Sequence, residues 1–245
     1  MDYQSLSNYN FNDLKKIAKD MGLQGRRSKG EYVNDISDAL KEYETYKTKK
    51  IDKYTKIRQL GVKGKEGTTY LVKDKKDREL AMKTFRKTKS SITLKTEYTL
   101  QKKASKAGIS PRVVEYDHVS KYIVMEKMDE HLMDVMKKHQ GNLSKTHQLR
   151  IIEIFKKLDE VGVFHGDSNM MNYMLKNKKL YIIDFGFSKE INSKLIKKLG
   201  TDAPNLKIMT LGLIIKLKKF ECPPSSWKYL KRVISKSEIE RFDIN

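Results

Sequence analysis

The chain has 245 residues, 34% of them charged and 38% apolar, and a formal net charge of +21 at pH 7. That length fits one large domain, or a moderate one with a small companion, and no stretch approaches the roughly 20 apolar residues of a membrane-spanning helix. A single cysteine, Cys222, excludes an intrachain disulfide, and a reducing, intracellular setting is the simplest expectation.

The start "MDYQSLSNYN" lacks the apolar core of a signal peptide. Residues 5–43 read as two short helices. The first carries Leu14, Ile17, Ala18 and Met21 at helical spacing, with Asn10 or Asn12 as its cap and Gly22 as its stop. "LQGRRSKG" is a basic, glycine-bounded connection, and the second helix carries Tyr32, Val33, Ile36, Ala39 and Leu40. The charged run "KEYETYKTKKIDKY" follows, a linker or an extension of that helix. The expected division is 1–45 for a helical hairpin, 46–53 for a charged linker and 54–245 for the main domain.

From Tyr54 the texture changes to alternating strands joined by turns, through "YTKIRQLGVKGKEGTTYLVKD" and "RELAMKTFRK". Residues 90–107 read as helix, "ISPRVVEYDHVSKYIVMEKM" as two more strands, and 130–139 and 145–161 as helices. The stretch "GVFHGDSNMMNYMLKNKKLYIIDFGFS" supplies a loop, a short strand pair and a turn. "NLKIMTLGLIIKLKKF" and the segment from Trp227 read as helical. Strands first and helices afterwards predict an α+β protein in two lobes, about 54–126 and 127–245.

Asp and Asn offer oxygen ligands to a hard cation such as Mg²⁺, which prefers a few carboxylates and phosphate oxygens. A second Asp can orient an attacking hydroxyl or take its proton. Together they meet the needs of phosphoryl transfer, which are positioning and charge neutralisation. Asp167, Asn172 and Asp184 stand at such offsets.

These residues resemble the protein-kinase superfamily. "HGDSNMMN" is similar to the catalytic-loop pattern H-x-D-x-x-x-x-N, and "DFG" at 184–186 follows it. The resemblance implies Asp167 as catalytic base, Asn172 as a metal ligand and Asp184 as the main Mg²⁺ ligand. "LAMK" resembles V-A-I-K and makes Lys83 the contact to the α- and β-phosphates, with Glu97 as its pairing partner. "YIVMEKM" resembles the last N-lobe strand and hinge, with Met125 as gatekeeper and the backbone of Glu126 to Met128 facing adenine. Gly61, Gly64 and Gly67 lie in the strand–turn–strand over the phosphates, spaced G-x-x-G-x-x-G where the family has G-x-G-x-x-G.

Three departures narrow the resemblance. Gly166 stands where most protein kinases carry Arg, which argues against control by a phosphorylated activation loop docking there. Asn169 replaces the lysine that many serine/threonine kinases place two residues after the catalytic Asp. "HGD" with this second position, and "EYTLQKKASKAGISPRVVEYD", resemble the small atypical kinases of the RIO group and the kinase subunit of the KEOPS tRNA-modification assembly. Finally, 20 residues lie between Gly186 and "KIMTLG", which resembles the D-x-W-S-L-G start of the central C-lobe helix with Lys207 at its Asp position. The resemblance thus implies a two-lobed kinase-like fold with a truncated activation segment and C-lobe.

"LKKIAKDMGLQGRRSKGEYVNDI" resembles SAP and Rho-N-terminal helix–extended-loop–helix modules, whose loop cations face nucleic-acid phosphates. That makes Arg26, Arg27 and Lys29 candidates for contact with DNA or RNA. The net charge is +2 over residues 1–50 and +19 over the rest, so attraction for phosphate belongs mainly to the larger part. Scattered lysines equally fit a solvated surface.

The expectation is an ATP- and Mg²⁺-dependent phosphotransferase, with Mn²⁺ an alternative cation, acting on a Ser/Thr hydroxyl of a protein and placed in the cytoplasm or nucleus, or in a host cell or virion for a viral source. Two other readings stay open: a nucleic-acid-tethered, ATP-binding pseudokinase scaffold, and a small-molecule phosphotransferase of the aminoglycoside-kinase type.

Overall fold

The computed structural model describes residues 6–21, 23, 28–51, 53–61, 64 and 66–244, with the backbone alone for 42–51. It divides into two compact units, Met1–Lys56 with Lys73–Asp77, and Ile57–Val72 with Arg78–Asn245.

In the first unit, helix α1 (Phe11–Asp20) starts at Asn10, whose side-chain oxygen accepts the Asp13 N–H at 2.9 Å. Of the two asparagines open as caps, Asn10 is the one used. Helix α2 (Lys29–Ile51) opens on a reciprocal cap, in which Ser28 N–H donates to the Glu31 carboxylate and Glu31 N–H donates to Ser28 Oγ. Leu14 and Ala18 pack with Tyr32, Val33 and Ile36, and the Phe11 ring meets Tyr32 edge-on. Helix α2 runs on through residues 46–51, assigned above to a linker. No Gly or Pro interrupts 31–51, so nothing local stops the helix. Lys29 is exposed at its start, whereas Arg26 and Arg27 lie outside the described residues.

A five-stranded sheet follows, of strands β1 (Tyr54–Leu60), β2 (Gly67–Asp74), β3 (Glu79–Phe85), β4 (Val113–Asp117) and β5 (Tyr122–Glu126), in the order β1-β2-β3-β5-β4. Helix α3 (Ser91–Lys106), capped by Ser90, lays Leu94 against Ala81, Phe85, Ile123 and Met125 of the sheet. After β5 come β6 (Glu130–His131), α4 (Leu132–Lys138), α5 (Lys145–Glu160) and β7 (Val163–Phe164). A 3₁₀ turn (Met170–Asn172) leads into the hairpin β8 (Tyr173–Lys176) and β9 (Lys179–Ile182). Strand β10 (Lys189–Glu190) pairs with β7, followed by α6 (Ser193–Leu199). A π-helical turn (Asn205–Met209) runs directly into α7 (Thr210–Lys219).

The segment from Trp227, expected to be helical, forms one 3₁₀ turn (Leu230–Val233) and one short helix, α8 (Lys236–Arg241). A large core of Ile151, Ile154, Phe155, Leu158, Leu213 and Leu217, with Trp227 and Leu230, fills this half. The α+β, kinase-like reading holds. No helix among the described residues is long and apolar enough to cross a membrane.

Candidate active site

Strand β3 pairs antiparallel with β5, with Lys83 opposite Ile123. On this strand Leu80, Ala81 and Met82 are buried and Lys83 is partly covered. Its ammonium donates to Glu97 Oε1 and to Asp184 Oδ1, both at 2.8 Å. Glu97 projects from α3 and is almost wholly buried. Its second oxygen accepts from Lys89 Nζ at 2.6 Å, and Lys89 also donates to Glu66 Oε2 at 2.7 Å. The result is a chain of alternating charge, Glu66–Lys89–Glu97–Lys83–Asp184. A buried carboxylate is tolerable only when its charge is paired and its lone pairs are satisfied, and two lysines do both for Glu97.

Electrostatics follow from that chain. Burial alone would push the Lys83 ammonium down, but Glu97 and Asp184 outweigh it and hold it above the usual lysine value. Burial would raise the Asp184 carboxyl, yet the Lys83 charge and hydrogen bond, with help from the Gly186 N–H, leave it below the usual carboxylate value. Glu66, Glu97 and Asp184 bring carboxylate oxygens within 4.8 Å of one another. Lys83 and Lys89 already bridge these three acids.

The loop Phe164–Asn172 presents the second half of the site. Gly166 has φ of +79°, and a Cβ there would lie 2.9 Å from the Phe187 carbonyl oxygen. An arginine cannot occupy this position without strain. Asp167 is fully oriented, since Oδ1 accepts the Asn169 N–H at 3.1 Å and Oδ2 accepts Asn172 Nδ2 at 2.8 Å. Asn172 Nδ2 also lies 3.4 Å from the Asp167 carbonyl, so its amide oxygen is the atom left for a ligand. The Ile183 N–H donates to the Asn172 carbonyl at 2.9 Å, which sets Asn172 beside the turn carrying Asp184. Asp184 has φ of +64°.

His165 ties the two loops together. Its Nε2 lies 3.0 Å from the Ile183 carbonyl. A carbonyl only accepts, so the proton sits on Nε2. The ring meets Phe185 edge-on at 5.0 Å, and Ser188 Oγ donates to the His165 carbonyl. Full burial pushes the imidazole below its ordinary value of 6.5.

The loop is braced by Asn205, not by Lys207, which stands at the family's Asp position. Lys207 is exposed. The buried Asn205 instead accepts the His165 N–H at 2.9 Å and donates to Asp159 Oδ1 and the Val163 carbonyl, both at 2.7 Å. The signal was present in "APN", two residues before the position assigned by alignment to D-x-W-S-L-G.

At the glycine-rich turn, Gly64 N–H donates to the Gly67 carbonyl at 2.9 Å. A Cβ on Gly67 would lie 2.0 Å from the Thr84 carbonyl oxygen, so β2 approaches β3 at a distance only glycine allows. Gly61 has φ of +68°. Between Gly64 and Gly67 stands Glu66, which no motif marks. A Cβ on Gly186 would lie 2.7 Å from its Oε2, so the turn reaches down to the DFG segment.

Along the hinge, Met125 is buried and its sulfur takes a contact from Gln101 Nε2 at 3.3 Å. The Glu126 N–H is given to the Arg112 carbonyl at 2.8 Å, so that group is not free to donate to a purine. Burial would raise the Glu126 carboxyl, but Lys176 at 2.7 Å, with the Arg112 N–H, holds it low.

A lysine paired to a helix glutamate, an Asp–Asn loop and an aspartate in a left-handed turn define a protein-kinase class of site on a protein-kinase class of fold. The model of the protein kinase domain family matches residues 54–203, more than half of the chain, and the chain belongs to that family. Two curated relatives are similar to part of the chain, and the name of the first states a kinase activity. A "Probable serine/threonine-protein kinase BUD32 homolog" of Archaeoglobus fulgidus is 33% identical over 95 residues, 38% of this chain and 45% of the relative. The "KEOPS complex subunit Bud32" of Pyrococcus abyssi is 30% identical over 122 residues, 45% of this chain and 54% of the relative. The chain spans about half the length of these relatives.

Proposed function

We propose that the protein is an ATP-dependent phosphotransferase acting on a Ser/Thr hydroxyl of a protein. The observation that carries this reading is the joint geometry of Lys83 on Glu97 and Asp184, and of Asp167 on Asn172. Lys83 would hold the α- and β-phosphates, with Glu97 fixing its ammonium and Lys89 neutralising the second Glu97 oxygen. Asp167 would orient the acceptor hydroxyl and take its proton. A hard divalent cation fits the Asp184 carboxylate and the Asn172 amide oxygen, both oxygen donors. Such a cation would supply charge neutralisation at the phosphate oxygens. Association with a multi-subunit assembly, and contact with nucleic acid through the basic surface, are proposed alongside, the first from the name of the Pyrococcus abyssi relative.

The test is transfer of label from [γ-³²P]ATP to casein with Mg²⁺, in wild type, Asp167→Ala and Asp184→Ala. We expect labelled protein in wild type and a loss of two to four orders of magnitude in each variant, on the scale of removing a general base or a phosphate-site charge, roughly 10²–10⁴. Labelling that is equal in all three would sink the assignment. ADP formation only on addition of a small acceptor would point to a small-molecule substrate instead.

A further inference from the structure

Helix α7 contributes an ion pair that no sequence motif marks. Lys216 Nζ lies 3.4 Å from Asp167 Oδ1, the side chains being 39% and 26% exposed respectively. The helix is anchored by buried Thr210, Leu213, Ile214 and Leu217. It presses close to the catalytic loop at Gly212, where a Cβ would lie 2.7 Å from Ser168 Oγ. Lys216 is one turn further along and therefore on the same face as Gly212. The close approach at the glycine is what brings this lysine within reach of Asp167.

Three features argue against a merely structural pair. A partly exposed pair contributes little to stability, typically below about 1 kcal/mol. Its separation exceeds the roughly 2.7–2.9 Å of a tight charge-assisted bond, so the ammonium keeps donors to spare. The Asn169 Oδ1 accepts the Met171 N–H at 3.1 Å and its Nδ2 is only a neutral donor, so the loop Phe164–Asn172, which has no lysine or arginine, supplies no cation of its own beside Asp167. Among the described residues, Lys216 is the cation recorded on Asp167.

We propose that Lys216 is a catalytic cation, contacting the phosphoryl group as it passes to the acceptor beside Asp167. The inference rests on the phosphotransferase reading above. In the step, the acceptor oxygen forms its bond to the γ-phosphorus and its proton goes to the Asp167 carboxylate. The bond from that phosphorus to the β,γ-bridging oxygen breaks, and ADP leaves with the electron pair. Negative charge on the moving group is spread over its three equatorial oxygens, and Lys216 supplies compensating charge from the side where Asp167 receives the acceptor.

The experiment measures kcat and KM for ATP with casein, together with thermal midpoint and ADP affinity, for wild type, Lys216→Met, Lys216→Arg, Asp167→Ala and Lys219→Met. Lys219 is an exposed lysine of the same helix and controls for loss of charge alone. Lys216→Met is expected to lower kcat by roughly tenfold to a hundredfold, below the full effect of a buried donor, with KM for ATP, ADP affinity and thermal midpoint near wild type. Lys216→Arg should recover part of the rate and Lys219→Met all of it. If Lys216→Met matches wild type while Asp167→Ala is inactive, the inference fails and the phosphotransferase reading stands. A joint fall in thermal midpoint and ADP affinity, unrepaired by arginine, makes the lysine structural and equally overturns the inference. If wild type transfers no phosphate, both readings fall together.

Discussion

His165 shows how a single buried group sets a pH response. Its ring is neutral, with Nε2–H on the Ile183 carbonyl and full burial holding it below 6.5. Above that pH neither the folded nor the unfolded chain protonates this side chain, so it adds no pH dependence. As pH falls through 6.5 the unfolded chain takes up a proton that folded His165 refuses until its lower value is reached. Stability therefore drops across that window, by up to about 1.4 kcal/mol per pH unit for one proton. His165→Gln keeps a donor for Ile183 but does not titrate. Urea midpoints from pH 7 down to pH 5 should fall less steeply in this variant than in wild type, and parallel curves would refute the account. Gly166 belongs to the same scale. Its left-handed backbone and its approach to Phe187 account for the missing arginine.

At the scale of elements, the turn Asn205–Met209 ties α7 and α5 to the catalytic loop. Asp159 on α5 accepts the Asn205 and Leu206 N–H groups, both at 2.9 Å, and the Asn205 side chain passes the constraint to His165 and Val163. Burial raises the Asp159 carboxyl despite these bonds. Asn205→Ala would leave several buried groups without partners, each worth about 1–3 kcal/mol. We expect a loss of roughly 3 kcal/mol in urea denaturation and a fall in phosphate transfer, because Asp167 sits two residues from the unbraced His165. Lys207→Ala, on the exposed position, should change neither. An unaltered Asn205→Ala midpoint would show that water or a neighbour replaces the brace.

Over the whole molecule, the charge is distributed unevenly, +2 on residues 1–50 against +19 beyond them. Each phosphate neutralised by a lysine or arginine adds about −0.9 to the slope of log affinity on log salt for duplex DNA. If the basic surface carries nucleic-acid contact, the full chain should bind a short duplex with a steep slope. Replacing Arg26, Arg27 and Lys29 together with alanine should then reduce that slope by no more than about three. Fluorescence anisotropy between 50 and 200 mM salt, roughly the range over which such contacts weaken strongly, decides the point. Abolition of binding by the triple variant would instead locate the whole interface in the hairpin loop.

Sequence by itself determined the α+β class and the family, because both rest on local patterns: strand alternation, helix caps, and short motifs whose order along the chain is conferred by the fold's connectivity. It also named Lys83, Glu97, Asp167, Asn172 and Asp184 as the residues to watch. It did not reveal that Lys89 shares Glu97, that Glu66 reaches the DFG turn, that Asn205 braces His165 or that Lys216 stands on Asp167. Those partners are 8, 40 and 49 residues apart for Lys89–Glu97, His165–Asn205 and Asp167–Lys216. Such contacts depend on strand register, on where a glycine lets a helix come close, and on which side of a turn faces inward. In a lysine-rich chain the residue types alone carry no distinguishing signal, since lysines scattered over a solvated surface read like the two that reach the site. Only the packing of α3 on the sheet and of α7 on the catalytic loop selected Lys89 and Lys216 from the rest.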